Sequence, residues 1–264
     1  MGRIVALALA LVAAVIAPAI AGDVEDCNQS EDPGLRIVGC TAMLLSGEWT
    51  DGELPPIYNL RGVAYNRLGL AQQAIDDFDA ALELDPDYLY AYINRGWAYN
   101  ELPQYLRALE DFNHVIAVAP GTPIAYLGRG VTQMNQGMLL SSMIADFDKA
   151  IDLMPTFSEA YYYRGNAYRG HGEYGRAIAD YDQAIQLDPG AARVYRARAL
   201  AYCRIGDRAA AVADFNRQWD LAPQRVGEDQ QMLTERRLYR GTISGIADPA
   251  TQSALKSWVG QRCS

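Results

Sequence analysis

The chain has 264 residues, of which 50% are hydrophobic, and its formal net charge is −9 at pH 7. The apolar content argues against intrinsic disorder, because disordered chains carry too few apolar side chains to form a core. The negative charge, with no cluster of lysine and arginine in any repeat, argues against non-specific binding to nucleic acid or anionic membrane surfaces.

Residues 1–21 have the features of a secretory signal peptide. Arg3 supplies a short basic start, residues 4–16 form an apolar run of the usual length, and residues 19–21 place small side chains at the cleavage positions. The run is short for a membrane span, so an uncleaved anchor is the less favoured alternative. We expect cleavage before Gly22.

Residues 22–54 are predicted to form an N-terminal cap. Cys27 and Cys40 flank a Pro-Gly pair at residues 33–34, where the chain can fold back, and residues 35–45 are typical of a short helix. Cysteines in an exported chain favour disulfides over the alternative of free thiols. A Cys27–Cys40 bridge would pin the cap and contribute about 3 kcal/mol by restricting the unfolded chain.

Residues 55–223 repeat one unit five times. The units end at Pro86, Pro120, Pro155, Pro189 and Pro223, in steps of 34, 35, 34 and 34 residues. Each repeat is predicted to form two helices joined by a short turn. In the fourth repeat, Tyr161, Gly165 and Tyr168 fall on one face of the first helix. Small residues let the two helices approach closely, and aromatic residues fill the space beside them.

Three positions recur in every unit. The first aromatic is Tyr58, Tyr92, Tyr126, Tyr161 or Tyr195; the small residue after it is Gly62, Gly96, Gly130, Gly165 or Ala199; and the aromatic of the second helix is Phe78, Phe112, Phe147, Tyr181 or Phe215.

At these residues the chain resembles the tetratricopeptide repeat, which has the same period and helix–turn–helix plan. The resemblance implies units at about residues 55–88, 89–122, 123–157, 158–191 and 192–225. It also implies an all-α fold, a right-handed α-solenoid of five helix pairs that bury each other's flanks, with a cap at each end. The third repeat is one residue longer than the others. Gln133 occupies a position that is usually aromatic, and Met143 occupies one that is usually small. We expect a local distortion there, such as a bulge in a helix.

Pairs of aspartates recur on the predicted second helices, at Asp77/Asp79, Asp146/Asp148 and Asp180/Asp182. They could form a ladder of cation sites, but calcium sites require more oxygen ligands from a dedicated loop. A solvated outer face is the preferred interpretation.

No motif in the sequence indicates catalysis. There is no H-E-x-x-H helix, C-x-x-C pair, phosphate loop or G-x-S-x-G elbow, and the two histidines, His114 and His171, lie in different repeats. We predict that the protein is not an enzyme and has no cofactor and no metal site.

The tetratricopeptide resemblance implies a concave face, lined by the first helix of each repeat, that holds a peptide segment of another protein. Aromatic side chains there would supply contact area, and asparagines would pair with peptide backbone groups. The candidates are Tyr90, Ile93, Asn94, Trp97 and Asn100 in the second repeat, Leu127, Val131 and Met134 in the third repeat, and Tyr162, Asn166 and Arg169 in the fourth repeat. The alternative is that some of them pack against the next repeat or the tail.

Asn94 and Asn166 resemble the asparagines of the family's carboxylate-clamp subgroup. The matching lysines are missing, because Asn59 and Arg67 line the first repeat instead. Recognition of a C-terminal carboxylate is therefore not predicted.

Residues 226–264 differ from the repeats. Residues 230–238 predict a helix, a glycine-rich bend follows, and Asp248-Pro249 starts a helix whose apolar face carries Ala254, Leu255 and Trp258. This segment resembles the middle of a small peptidoglycan-binding module of bacterial cell-wall enzymes, which would imply murein binding through residues 230–264. The favoured alternative is a C-terminal cap, because the apolar face of an end repeat otherwise meets water.

Cys203 and Cys263 are the candidates for a second disulfide, which would tie the tail to the fifth repeat.

Together these features predict an exported bacterial scaffold, located in the periplasm, that holds an envelope protein or peptide segment on its concave face. The alternative is an adaptor bound to peptidoglycan through residues 230–264. We predict no nucleic-acid partner and no membrane span after signal cleavage.

Overall fold

A computed structural model describes residues 20–261, and the side chains of residues 22–261. The described residues divide into two compact units, residues 20–136 and 137–261. Between residues 20 and 261 there are fourteen α-helices and no strand. The predicted all-α class is confirmed. Most of the predicted signal peptide lies outside the described residues, so its cleavage stays a prediction.

The described part of the first unit contains seven helices that pack in chain order. They are α1 (Ile20–Gln29), α2 (Pro33–Ser46), α3 (Leu54–Arg67), α4 (Ala71–Leu84), α5 (Leu89–Glu101), α6 (Tyr105–Val118) and α7 (Pro123–Asn135). Helices α3 and α4 form the first repeat, and α5 and α6 form the second.

The described helices of the second unit are α8 (Leu140–Leu153), α9 (Ser158–Gly170), α10 (Tyr174–Leu187), α11 (Ala192–Ile205), α12 (Arg208–Leu221), α13 (Arg225–Glu235) and α14 (Pro249–Gly260). The helices from α8 to α12 pack in chain order, and the last of these helices, α14, packs against both α12 and α13. Helices α9 and α10 form the fourth repeat, and α11 and α12 form the fifth. Of the helices in the described range, none is long and apolar enough to cross a bilayer.

The N-terminal cap is held by the predicted disulfide, Cys27–Cys40, with an S–S distance of 2.04 Å. The predicted helix over residues 35–45 is confirmed as α2, and α1 is an additional helix that we did not predict. Asp32 caps α2, because its Oδ1 accepts from the backbone N–H of Gly34 at 2.7 Å and of Leu35 at 3.2 Å. Both sulfurs lie in a small core against α3.

Contacts between small and aromatic residues set the spacing of each helix pair. A Cβ atom on Gly62 would lie 2.6 Å from Phe78 Cε1, and one on Gly165 would lie 2.7 Å from Tyr181 Cε1. Phe78 and Tyr181 are 0% exposed. The sequence argument for small residues at these positions is therefore confirmed within each unit.

The aspartate pairs correct our sequence interpretation. Asp77, Asp146 and Asp180 are each 5% exposed, so a solvated outer face is wrong for the first member of each pair. The second members are about half-exposed, with side-chain exposures of 46% for Asp79, 49% for Asp148 and 48% for Asp182.

Arginines of the first helices bind aspartates of the second helices. In the first unit, Arg95 donates from Nε and Nη2 to Asp111, at 2.9 and 2.7 Å, and from Nη1 to Asp79 at 2.6 Å. In the second unit, Arg164 binds Asp180 and Asp148 in the same way. Each arginine thus joins its own repeat to the preceding one by charge-assisted hydrogen bonds.

The extra residue of the third repeat lies in the segment between α7 and α8, at residues 136–139. Both helices are continuous, so the expected helix bulge is wrong. A turn accommodates one more residue without breaking a helical hydrogen-bond ladder.

The C-terminal segment covers the end of the fifth repeat. Leu233, Leu255 and Trp258 are buried in one core with Phe215 and Trp219 of α12. The helix that we predicted at residues 230–238 occupies Arg225–Glu235 instead. The predicted helix start at Asp248 is confirmed, because its carboxylate accepts from Thr251 N at 2.7 Å.

Gln230 fixes the glycine-rich bend of this segment. It is 0% exposed, its Oε1 accepts from Ser244 N and Gly245 N at 3.0 Å, and its Nε2 donates to Ile246 O at 2.9 Å. The bend is therefore held by a buried side chain. Cys203 is buried at the same end, whereas Cys263 lies outside the described residues, so their pairing stays a prediction.

Candidate partner-binding surface

The first helices of successive repeats contact one another inside each unit. Helix α3 packs on α5 and α5 on α7 in the first unit, and α9 packs on α11 in the second. We call the surface formed by these helices the first-helix face. In both units a cavity opens on this face between neighbouring first helices.

The cavity of the first unit has a volume of about 300 Å³. It is lined by Val63, Asn66, Arg67, Phe78, Asn94, Trp97 and Glu101. All of these except Phe78 come from α3 and α5. Asn94 Nδ2 donates to Asn59 Oδ1 at 2.8 Å, while Asn66 Oδ1 is buried without a hydrogen-bond partner. The cavity thus offers an acceptor beside the partly buried ring of Trp97.

The other predicted residues of this unit are scattered. Tyr90 is 67% exposed, whereas Ile93, Leu127 and Val131 are buried at 6%, 3% and 5% and are not accessible to a partner in this state. Asn100 donates from Nδ2 to Thr132 Oγ1 at 2.9 Å. Met134 is partly buried. Of the candidates in this unit, Asn94 and Trp97 are the two that line the cavity.

The cavity of the second unit has a volume of about 420 Å³. All three candidates from the fourth repeat line it: Tyr162, Asn166 and Arg169. The rest of the lining is Ala192, Arg193, Arg196, Ala197, Leu200, Gln218, Ala222, Gln224 and Arg225, none of which we predicted. These residues come from the fifth repeat and α13, so they are distant from the fourth repeat in sequence.

A buried tyrosine positions two of the lining residues. Arg169 Nε donates to Tyr181 Oη at 3.3 Å, and Tyr181 Oη donates to Asn166 Oδ1 at 2.9 Å. Burial raises the pKa of Tyr181 to about 12, so the hydroxyl stays protonated and keeps donating. Arg169 and Asn166 are therefore held side by side on α9.

A second network lies beneath α11. Arg196 Nη1 donates to Asp229 Oδ1 at 2.6 Å and to Gln218 Oε1 at 3.2 Å. Asp229 Oδ2 accepts from Trp219 Nε1 at 2.8 Å, so both carboxylate oxygens are paired. Gln218 is 1% exposed, and its Nε2 has no hydrogen-bond partner.

Arg164 keeps its charge in the arginine–aspartate network of the second unit. The hydrogen bond with Asp180 is the largest of the influences that raise the pKa of Arg164 above its usual value. These pairs hold helices together, and their donors and acceptors are used within the repeats.

The described residues contain no group of three or more His, Cys, Asp or Glu side chains that could hold a metal ion. The two histidines take part in local contacts. His114 lies 4.2 Å from the ring of Tyr92, and His171 Nδ1 lies 3.0 Å from Ala167 O. The prediction that the protein is not an enzyme stays a prediction.

Comparisons with known proteins identify the repeats. A family model described as the tetratricopeptide repeat matches residues 55–88 and 158–190. No curated protein matches the chain at a significant level.

Several solved structures have a similar fold. A crystal structure of MamA is 26% identical to this chain, covers 61% of it and 93% of that protein's chain, and has a TM-score of 0.51. A tetratricopeptide repeat protein from Parabacteroides merdae is 22% identical, with 78% of each chain covered and a TM-score of 0.65. A thermophilic protein of the same kind from Thermus thermophilus is 20% identical, with 69% of this chain and 99% of that chain covered and a TM-score of 0.61.

The family model confirms the predicted tetratricopeptide repeat at residues 55–88 and 158–190, and the solved structures share the helix-pair fold. Repeats of this kind support a role in protein–protein interaction.

Proposed function

We propose that the protein is an interaction scaffold of the bacterial envelope that holds a segment of another protein on its first-helix face. The observation that carries this proposal is the position of the two cavities. In both units the cavity lies between neighbouring first helices and is lined by a mixture of aromatic, aliphatic and amide side chains. Such surfaces bind peptides through a few anchoring side chains and hydrogen bonds to the backbone.

The envelope location is supported by two features of the N-terminal region. Residues 1–21 have the composition of a secretory signal, and Cys27 and Cys40 form a disulfide, which persists in oxidising compartments such as the periplasm. N-terminal sequencing of the protein recovered from a periplasmic fraction tests this part of the proposal. A mature chain starting at Gly22 is expected, and recovery of an unprocessed chain from the cytoplasm would contradict it.

We do not extend the proposal to murein binding. The apolar side of α14, with Leu255 and Trp258, is buried on the fifth repeat, and this contact accounts for the segment as a cap. The predicted peptidoglycan role of residues 230–264 remains an alternative that a pull-down with isolated murein sacculi decides.

Substitutions in the two cavities test the scaffold directly. Trp97→Ala and Tyr162→Ala each remove an aromatic side chain from a cavity, and Gln183→Ala is the matched control on the exposed surface of α10. After circular dichroism has shown that each variant is folded, partners are captured by chemical crosslinking in cells and identified by mass spectrometry. The proposal expects that the cavity variants lose a partner that the control retains.

The same partners in all three folded variants would refute the assignment of the first-helix face. Loss of partners in the Gln183→Ala variant as well would place the binding surface elsewhere.

A further inference from the structure

Arginines from three helices converge on the first-helix face of the second unit. The cavity of about 420 Å³ is lined by Arg169, Arg193, Arg196 and Arg225 and by no acidic residue. An adjoining cavity of about 280 Å³ shares Arg169 and Leu200 with it and adds Arg204. The whole chain carries a net charge of −9, so this concentration of positive charge is local.

Three of the five arginines already have a carboxylate partner. The pairs are Arg196 with Asp229 at 2.6 Å, Arg193 with Glu159 at 3.2 Å and Arg225 with Glu228 at 2.7 Å. The guanidinium of Arg204 has no ion pair or hydrogen bond with another described residue. Arg169 has one side-chain hydrogen bond, from Nε to the Tyr181 hydroxyl, so both of its terminal nitrogens remain available. Positive charge without a carboxylate partner therefore remains on Arg169, which lines both cavities, and on Arg204, which lines the adjoining one.

A buried neutral donor faces the same cavity. Gln218 lines the cavity, is 1% exposed, and has no partner for its Nε2. The orientation of its amide is defined, because Arg196 can only donate and therefore pairs with Oε1, at 3.2 Å. A buried N–H group without an acceptor is destabilising, and an acceptor atom entering the cavity would remove that penalty.

Several donors without a partner remain available here. They are the terminal nitrogens of Arg169, the Nε2 of Gln218 and the Nδ2 of Asn166, whose Oδ1 is occupied by Tyr181. A carboxylate is an acceptor with two oxygens and one negative charge, which matches one guanidinium and neutral amide donors. A phosphate group, with about two charges, would require more unpaired cations at the same point.

The apolar part of the lining completes the match. Ala192, Ala197, Leu200 and Ala222 form the remaining wall of the cavity and can contact the aliphatic stem of a side chain. We propose that the second unit recognises an acidic segment of its partner protein, with one aspartate or glutamate side chain inserted between Arg169 and Gln218. This inference rests on the proposed scaffold function and specifies the chemistry of the partner. It concerns a side-chain carboxylate within a segment, not a chain terminus.

A peptide selection tests the inference without knowledge of the partner. The full chain is used to select binders from a phage-displayed library of random peptides, in parallel with the Arg169→Gln variant. Arg107→Gln is the matched control, because Arg107 is an exposed arginine in the first unit without a carboxylate partner. We expect peptides selected by the unmodified chain and by Arg107→Gln to share an acidic residue at a fixed position, and those selected by Arg169→Gln to lack it.

A double substitution then locates the contact. In the selected peptide, replacing the acidic residue by its amide should weaken binding to the unmodified chain about tenfold or more, as for a lost hydrogen bond to a charged group. The same replacement should have little effect on binding to the Arg169→Gln variant, because the two substitutions remove one interaction. Isothermal titration calorimetry measures the four dissociation constants.

The outcomes separate the two proposals. If no peptide binds the chain, the scaffold function and the inference both fail. If peptides bind without a fixed acidic residue, or if Arg169→Gln leaves the effect of that residue unchanged, the inference fails and the scaffold function stands. Binding at least about tenfold tighter when phosphoserine replaces the acidic residue would identify a phosphate site and overturn the inference.

Discussion

Replacing Asp111 by asparagine should destabilise the first unit far more than replacing Asp79, although both carboxylates bind Arg95. Asp111 accepts two hydrogen bonds from Arg95 and its side chain is 5% exposed, whereas Asp79 accepts one and its side chain is 46% exposed. The two substitutions make the same chemical change at one arginine, so burial and bond number are the differences between them.

The structure sets the expected magnitudes. Breaking a buried ion pair leaves an uncompensated charge and typically costs 3–5 kcal/mol, and the remaining contact with Asp79 places Asp111→Asn near the lower end, at about 3 kcal/mol. An exposed pair contributes about 0–1 kcal/mol, so Asp79→Asn should cost no more than about 1 kcal/mol. The difference between the variants is therefore about 2 kcal/mol or more.

Urea unfolding followed by far-UV circular dichroism measures this difference, provided that the slope of the transition is unchanged between variants. Asp180 and Asp148 bind Arg164 in the second unit with the same geometry and serve as an internal repetition. Equal destabilisation by the buried and the exposed substitutions, in either unit, would refute the argument that burial makes these pairs structural.

Three further predictions follow from burial in other parts of the chain. Tyr181→Phe should reduce the loss of stability between pH 10 and 12, measured by chemical denaturation. The pKa of Tyr181 is about 12 in the folded state and about 10 in the unfolded state, so only the unfolded state loses the proton over that interval, and the tyrosine lowers the stability there. An unchanged pH profile would contradict the burial of the hydroxyl. The double change Cys27→Ser with Cys40→Ser should cost about 3 kcal/mol, and hydrogen exchange should show the loss in α1 and α2, whereas no loss of protection there would contradict the pinned cap. Trp258→Ala should lower the stability of the second unit by about 3–5 kcal/mol, with exposed Lys256→Ala as the control, and equal melting temperatures for the two variants would show that α14 does not cap the fifth repeat.

The repeats could be predicted from sequence because their signals are local. The recurring glycine and aromatic positions report a close approach of two helices, and Gly62 does lie against the ring of Phe78. The disulfide-pinned cap and the start of α14 at Asp248 were likewise readable from a few neighbouring residues.

Local sequence patterns did not predict the arginine–aspartate ion pairs, because each arginine precedes its buried aspartate by 16 residues. A signal was nevertheless present. Arginine recurs at residues 61, 95, 129, 164 and 198, with the period of the repeat, and such a charged position on a first helix indicates a structural partner.

The arginine-lined cavity of the second unit could be predicted only in part. The arginines of α11, Arg193, Arg196 and Arg204, were a signal that we missed. Arg169 and Arg225 lie on α9 and α13, and they join the lining through the packing of helices that are separate in sequence. Likewise, the burial of Ile93 and Val131 depends on neighbouring helices, so the sequence could not separate core residues from accessible ones on the first helices.

Site-specific photo-crosslinking tests the central claim most directly. A photoreactive amino acid is placed at Asn166, in the cavity of the second unit, or at Gln183, on the exposed surface of α10, and the chain is irradiated in its native compartment. We predict a covalent adduct with a specific partner protein from position 166 and none from position 183. Adducts from position 183 alone, or with equal yield from both positions, would contradict the assignment of the first-helix face as the binding surface.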